Sequence, residues 1–134
     1  MKPKKVKSPS RQELKTLIES IGGAQPLRRL LFCFYERMQS DTMIGYFFAG
    51  KNIHDISEKQ SQFMLLAAGL IQNPPIRGPA TAHAELPPIY SGHFDRRLVL
   101  LREVLIQEGL SEAHTRLWVC FEESFRAVVV SDER

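Results

Sequence analysis

The chain has 134 residues, of which 43% are hydrophobic and 25% charged, with a net charge of +3, a composition that suits one globular domain with a single core and leaves no room for two. Its longest nearly unbroken apolar run, Phe63 to Ile71, falls far short of the roughly 20 residues that a transmembrane helix needs. The stretch Arg11, Gln12, Glu13, Leu14 and Lys15 is amphipathic rather than a hydrophobic signal core, so the expectation is a cytoplasmic protein with no transmembrane segment.

The charge is unevenly spread. Lys2, Lys4, Lys5, Lys7 and Arg11 place five bases and no acid in the first eleven positions, and the remaining thirteen bases face fifteen acids. A near-neutral body with a short basic arm lacks the folded basic stripe of a nucleic-acid-binding domain. Residues 1–11, with Pro3 and Pro9, read as a disordered, solubilising tail, and residues 12–134 as the domain. Contact of the tail with nucleic acid or anionic lipid is the lesser alternative. Cys33 and Cys120 lie far apart in helical segments, without disulfide density or zinc-site spacing, and are expected as reduced, mostly buried thiols.

In chain order, Ser10 and Glu13 fit a capping box, and Leu14, Leu17, Ile18 and Ile21 recur at helical spacing up to Gly22-Gly23. Pro26 suits the first turn of a second helix whose stripe is Leu27, Leu30, Leu31, Phe34 and Met38. A short helical piece is expected from Asp41 to Phe48. A third long helix carries Ile56, Gln60, Phe63, Met64, Ala67 and Ile71, with a glutamine inside its apolar face. Asn73, Pro74, Pro75, Gly78 and Pro79 make residues 72–80 irregular, and only a short helix containing His83 fits before Pro87-Pro88. Ser91 can cap a helix bearing Phe94, Leu98, Leu101 and Leu105, which Gly109 ends, and Ser111 caps the last, with Leu117, Phe121, Phe125 and Val128 on one face. No period-two strand and no repeat is visible. The expected fold class is all-α, with four substantial helices and several short ones.

Neither a phosphate-binding glycine loop after a strand nor a G-x-S-x-G elbow is present, and no paired carboxylates stand out from the charged faces. Three local inconsistencies remain: Gln60 on an apolar face, Tyr35 bordering another, and His83 on a short helix pinned between prolines. Singly, each has an ordinary structural reading as a satisfied core or surface residue. Together and in order, Ile21-Gly22-Gly23, Phe34-Tyr35-Glu36-Arg37-Met38, Tyr46-Phe47-Phe48-Ala49-Gly50, Lys59-Gln60-Ser61-Gln62-Phe63, His83 and His93-Phe94-Asp95 resemble the truncated haemoglobins, most closely their group I, over about residues 18 to 130. The sequence departs from that pattern at Ala68-Gly69-Leu70, where a second glycine pair is expected, and at Pro87-Pro88.

The resemblance implies a shortened globin, a two-over-two helical sandwich around haem b (iron protoporphyrin IX). His83 matches the proximal iron ligand, the one metal-ligating residue implied. A neutral imidazole is a good haem ligand, and its second ring N–H can be fixed by a backbone carbonyl. His93 ranks second, while His54 and His114 suit solvent-exposed roles. Tyr35 and Gln60 match the distal, catalytic positions, the phenol donating to bound dioxygen and the amide donating to the ligand or accepting from Tyr35. Ile56 matches the place where many globins carry a distal histidine. Phe48 matches the aromatic against the haem face, Phe63, Met64, Phe94 and Leu98 are expected pocket walls, and Lys59 and Arg77 can pair with propionates.

By the same resemblance, the protein binds dioxygen reversibly, with nitric oxide and carbon monoxide as further ligands, and in its oxygenated state converts nitric oxide to nitrate with electrons from an external reductase or other donor. Haem-based sensing, or the handling of peroxide, nitrite or sulfide, uses the same pocket. The alternative from another class is a haem-free helical interaction module working through its basic tail.

Overall fold

The computed structural model describes residues 8–72 and 88–131. Helix α1 (Arg11–Ser20) begins with the expected capping box: Ser10 Oγ accepts from the Glu13 N–H and the Glu13 carboxylate accepts from the Ser10 N–H. Ser10 and Arg11 therefore belong to the helix rather than to the tail, of which residues 1–7 lie outside the described part. Gly22 and Gly23, at φ 111° and 100°, turn the chain through a conformation that side chains disfavour. Helix α2 (Ala24–Gln39) follows and buries Leu27, Leu30, Leu31, Phe34, Tyr35 and Met38.

Between α2 and the next long helix, the expected helical piece at residues 41–48 is only partly realised, as a turn followed by a 3₁₀ segment, Gly45–Phe48. The reason is local. Asp41 Oδ2 accepts from the N–H groups of Met43 and Ile44, which diverts the backbone into a turn. Gly45 then passes so close to the Gln39 carbonyl that a Cβ would sit 2.5 Å from its oxygen. The Asp41 carboxylate also accepts from Arg96 Nε and Nη2 at 3.0 and 2.7 Å, tying this turn to the helix that carries Arg96.

Helix α3 (Ile53–Ala67) is capped by Asn52, whose Oδ1 accepts from the Asp55 N–H. At its C-terminal end only Gly69 takes a positive φ, 74°, while Ala68 stays helical, so a single glycine suffices there. Helix α4 (Ser91–Gln107) starts one residue earlier than a Ser91 cap would place it: Tyr90 is the N-cap, and His93 Nδ1 accepts the Tyr90 N–H. Helix α5 (Glu112–Glu123) is capped by Ser111 as expected. The chain bends at Ser124 and Phe125 into a single turn, α6 (Arg126–Val129), so the expected continuous stripe from Leu117 to Val128 is interrupted and Val128 is exposed.

Helix α2 packs across both α3 and α4, α4 packs on α5, and α1 closes the end of the bundle against α2, α3 and α5. The described residues are all helix and loop, in two helical layers. Trp118, Phe34, Leu31, Leu100, Leu101 and Leu105 fill the centre without solvent contact. Cys33 and Cys120 are free and half-buried. No described helix is long and apolar enough to cross a membrane.

The Arg96 hydrogen bonds, helped by the Ile44 and Met43 N–H groups and opposed by burial, hold the Asp41 carboxyl below its ordinary value of 3.8. A carboxylate favoured by the fold stabilises it above the unfolded-state pKa, and that contribution disappears as the pH falls through the folded-state value. Asp41→Asn is therefore expected to cost ~1.5–3 kcal/mol at neutral pH, with the difference from wild type closing as the pH falls below about 3.8, read from urea denaturation across that range.

Candidate functional site

A cavity of about 390 Å³ opens between α2, the 3₁₀ segment, α3 and the α4–α6 side of the molecule. That is within the roughly 300–1,000 Å³ of small-molecule and cofactor sites. Its walls are mostly aromatic and aliphatic: Phe47 and Phe48 from the 3₁₀ segment, Ile56 and Phe63 from α3, Ile89 and Phe94 at the start of α4, and Phe125 with Val129 at the C-terminal end. Each is placed by its element. Phe63 lies seven residues after Ile56, two turns along the same face of α3, with Gln60 between them.

Tyr35, Phe48, Ile56, Lys59, Gln60, Phe63 and Phe94 line the cavity as a group. Met64 and Leu98 do not. Met64 is completely buried in the core, because the step of about 100° from Phe63 turns it away. Leu98 is only partly buried, and Arg97, three residues after Phe94, takes the cavity-facing place on α4. Lys59 is largely exposed and pairs with Asp55 across 3.3 Å. His83 and Arg77 lie outside the described residues, as does the expected short helix around His83.

Of the described histidines, His93 alone borders the cavity. Its ring stands edge-on to Phe47 at 5.1 Å, and its Nδ1 accepts the Tyr90 N–H at 3.0 Å. A neutral ring that accepts at Nδ1 carries its proton on Nε2, leaving no lone pair to give a metal. His54 instead packs its ring against Phe32, and His114 approaches Ser20 on α1. Among the described residues no cluster of three His, Cys, Asp or Glu side chains could hold a metal ion by itself.

The polar part of the wall holds a feature that sequence reasoning missed. Arg97 Nη2 donates to Glu122 Oε1 at 2.7 Å, with side-chain exposures of only 18% and 5%. Gln60 Nε2 points at the other carboxylate oxygen, Oε2, at 3.4 Å. The Gln60 amide N–H thus makes a long contact with Glu122, a partner that the sequence reading did not include. The guanidinium also lies over the rings of Phe34 and Tyr35, at 5.0 and 5.7 Å from their centroids. The signal was present in the spacing: Arg97 is three residues from Phe94 and four from Leu101, and Glu122 four from Trp118 and three from Phe125, so both occupy inward stripes.

Burial works against the Arg97 charge, but the Glu122 carboxylate and Tyr35 outweigh it and hold the group cationic. Burial pushes the Tyr35 phenol up, with Arg97 the main opposing influence, so its O–H remains a donor at neutral pH. Removing one member of a buried ion pair leaves the other charge uncompensated and costs ~3–5 kcal/mol. Arg97→Met and Glu122→Leu should each show a loss of that order, and the double substitution should lose clearly less than the sum, as measured by a double-mutant cycle in urea.

Comparison with curated protein sequences finds no match. Several solved structures share the fold, two globins among them. The 2/2 haemoglobin from Synechococcus sp. PCC 7002, in the cyanomet state with covalently attached haem, aligns with a TM-score of 0.72 at 24% identity, covering 84% of this chain and 97% of that one. A truncated haemoglobin from Tetrahymena pyriformis aligns with a TM-score of 0.77 at 18% identity, covering 87% and 98% respectively. The sequence profile of the bacterial-like globins matches residues 16–127, well over half of the chain, and the chain belongs to that family, in its truncated two-over-two form.

Proposed function

We propose that the protein is a haem globin that holds haem b in this cavity, with His83 as the axial ligand, and binds dioxygen reversibly, with nitric oxide dioxygenase-type chemistry as its associated reaction. One observation carries the reading: in a chain of this family, the Tyr35 and Gln60 side chains both line one largely apolar cavity. The residues fit the cofactor. Phe48, Phe63 and Phe94 offer apolar surface for a flat macrocycle, Ile56 leaves no protein ligand at its position, and Lys51 and Lys59 stand exposed at the mouth, where carboxylate side groups would emerge. The constraints on His93, and the places of His54 and His114 away from the cavity, support His83.

When bound, haem b supplies an iron that takes dioxygen, nitric oxide or carbon monoxide and supports conversion of dioxygen and nitric oxide to nitrate, with one electron returned per turnover by an external donor. The chain's own contribution is polarity and exclusion of water. Tyr35 is 5% exposed and keeps its proton, so it can donate to a ligand that gathers negative charge. Such a bond is worth ~1.5–3 kcal/mol, which slows release by ~10- to 150-fold. Gln60, held by Glu122, presents its amide along the same wall. The T-shaped contact of Tyr35 with Phe48, 5.8 Å between centroids, fixes the phenol ring.

Absorption spectra of protein produced with haem available, oxidised and dithionite-reduced, test the cofactor and its ligand. A strong Soret band with a globin-like reduced spectrum, lost or displaced in His83→Ala, is expected; a folded, colourless protein that takes up no added haem would remove the proposal. In the haem-loaded protein, Tyr35→Phe should speed dioxygen dissociation ~10- to 150-fold in stopped-flow measurements.

A further inference from the structure

The Arg97–Glu122 pair does more than tie two helices, because both side chains line the cavity. Besides its bonds to Glu122 and to the Tyr35 hydroxyl oxygen, the guanidinium spends Nη1 on the thioether of Met38, at 3.6 Å, a weak acceptor that a better one would displace, and it has N–H groups beyond these three. The carboxylate, in turn, has one oxygen on Arg97 and only a long contact from Gln60 to the other. A cation with donor capacity in reserve and a weakly engaged carboxylate oxygen thus share one wall with Tyr35.

We propose that Arg97 and Glu122 work as an acid–base pair that admits small weak acids, HX, and retains them as their conjugate anions, in the class of hydrogen sulfide, hydrazoic acid and nitrous acid. The H–X bond breaks with its electron pair left on X, the proton forms an O–H bond on the Glu122 carboxylate, and Arg97 faces the anion. Nothing is oxidised or reduced. The cavity's net charge is unchanged, since a neutral molecule enters and the guanidinium exchanges one anionic partner for another. This balance matters because an anion that takes over the Arg97 guanidinium leaves the Glu122 carboxylate buried without its cation, and the incoming proton removes that charge.

The groups facing Glu122 agree with this role. Arg97 on α4 is the cation in contact with it, Gln60 on α3 is uncharged, and Tyr35 on α2 remains a neutral donor. Among the described residues, the other charged or titratable groups around the cavity are Lys51, Asp55, Lys59 and His93. Asp55 and Lys59 pair with each other at about 60% exposure, and His93 is engaged by the Tyr90 N–H, so none replaces Glu122 as proton acceptor beside the guanidinium.

The inference rests on the haem reading and is tested on the ferric, haem-loaded protein, with azide as the anionic probe and imidazole as a neutral one, both followed by the Soret shift. If one proton enters with each anion, the dissociation constant for total azide rises about tenfold per pH unit between about pH 5.5 and 7.5 in the wild type. Glu122→Gln abolishes that slope. The double substitution Arg97→Met/Glu122→Gln, which leaves no unpaired buried charge, weakens azide at least about tenfold more than it weakens imidazole. A pH-independent azide affinity in the wild type overturns the proposal, as does an equal loss of azide and imidazole in that double variant. Failure to take up haem is a different result: it defeats the cofactor reading itself and the present inference with it.

Discussion

Four helices meet at one buried ion pair. Arg97 comes from α4 and Glu122 from α5, Gln60 reaches the same carboxylate from α3, and the rings of Phe34 and Tyr35 on α2 cover the guanidinium. Taking two charges out of water is expensive, and only close geometry with further hydrogen bonds offsets the cost. The pair therefore penalises displacement of any of the four helices, in a way that methyl-on-methyl packing, which tolerates sliding, does not. Because it lies at the edge of the apolar core and on the wall of the cavity, the constraint that orders the helices also sets the polarity of the site.

A short chain that keeps a cavity must brace it from outside, and the bracing can be followed residue by residue. Asp41 holds the turn after α2 through two backbone N–H groups and fastens it to α4 through Arg96, which positions Phe47 and Phe48 on the cavity. On the opposite side, Arg126 lies over the ring of Phe94, at 4.7 Å from its centroid, and donates to Asp95, Glu123 and Ser91. The Ser131 N–H reaches the Ile89 carbonyl at 2.7 Å and draws the C-terminal turn against the start of α4. The aromatic walls are thus set by polar contacts one residue or one turn away, and the space between them need not collapse to satisfy the backbone.

The site that results is mixed in character. A phenol that keeps its proton, a primary amide, a guanidinium and a carboxylate line the cavity together with aromatic and aliphatic surface. An all-apolar pocket would discriminate among small gases by shape alone. Here hydrogen bonding and charge add selection for ligands that gather or carry negative charge, and the burial of the polar groups strengthens each such interaction.

The helices were legible because their signals are local. The Ser10 capping box, the Ser111 cap, the glycine stops and the 3.6-residue stripes each depend on residues within one or two turns, and the shared face of Ile56, Gln60 and Phe63 follows from helix geometry alone. The order of Tyr35, Phe48, Gln60 and Phe94 along the chain likewise carried the family resemblance. Local competition was harder to see: Asp41 redirected a short helix into a turn, and His93, rather than Ser91, served the start of α4. What only the tertiary structure decided was pairing at a distance. Arg97 and Glu122 are 25 positions apart, each on an inward stripe but without a visible partner until α4 and α5 bring them together, and the Gln60 amide N–H reaches a carboxylate 62 positions away. Sequence periodicity tells which face of a helix is inward, but an inward charge acquires its partner, and so its chemistry, only when another helix supplies one.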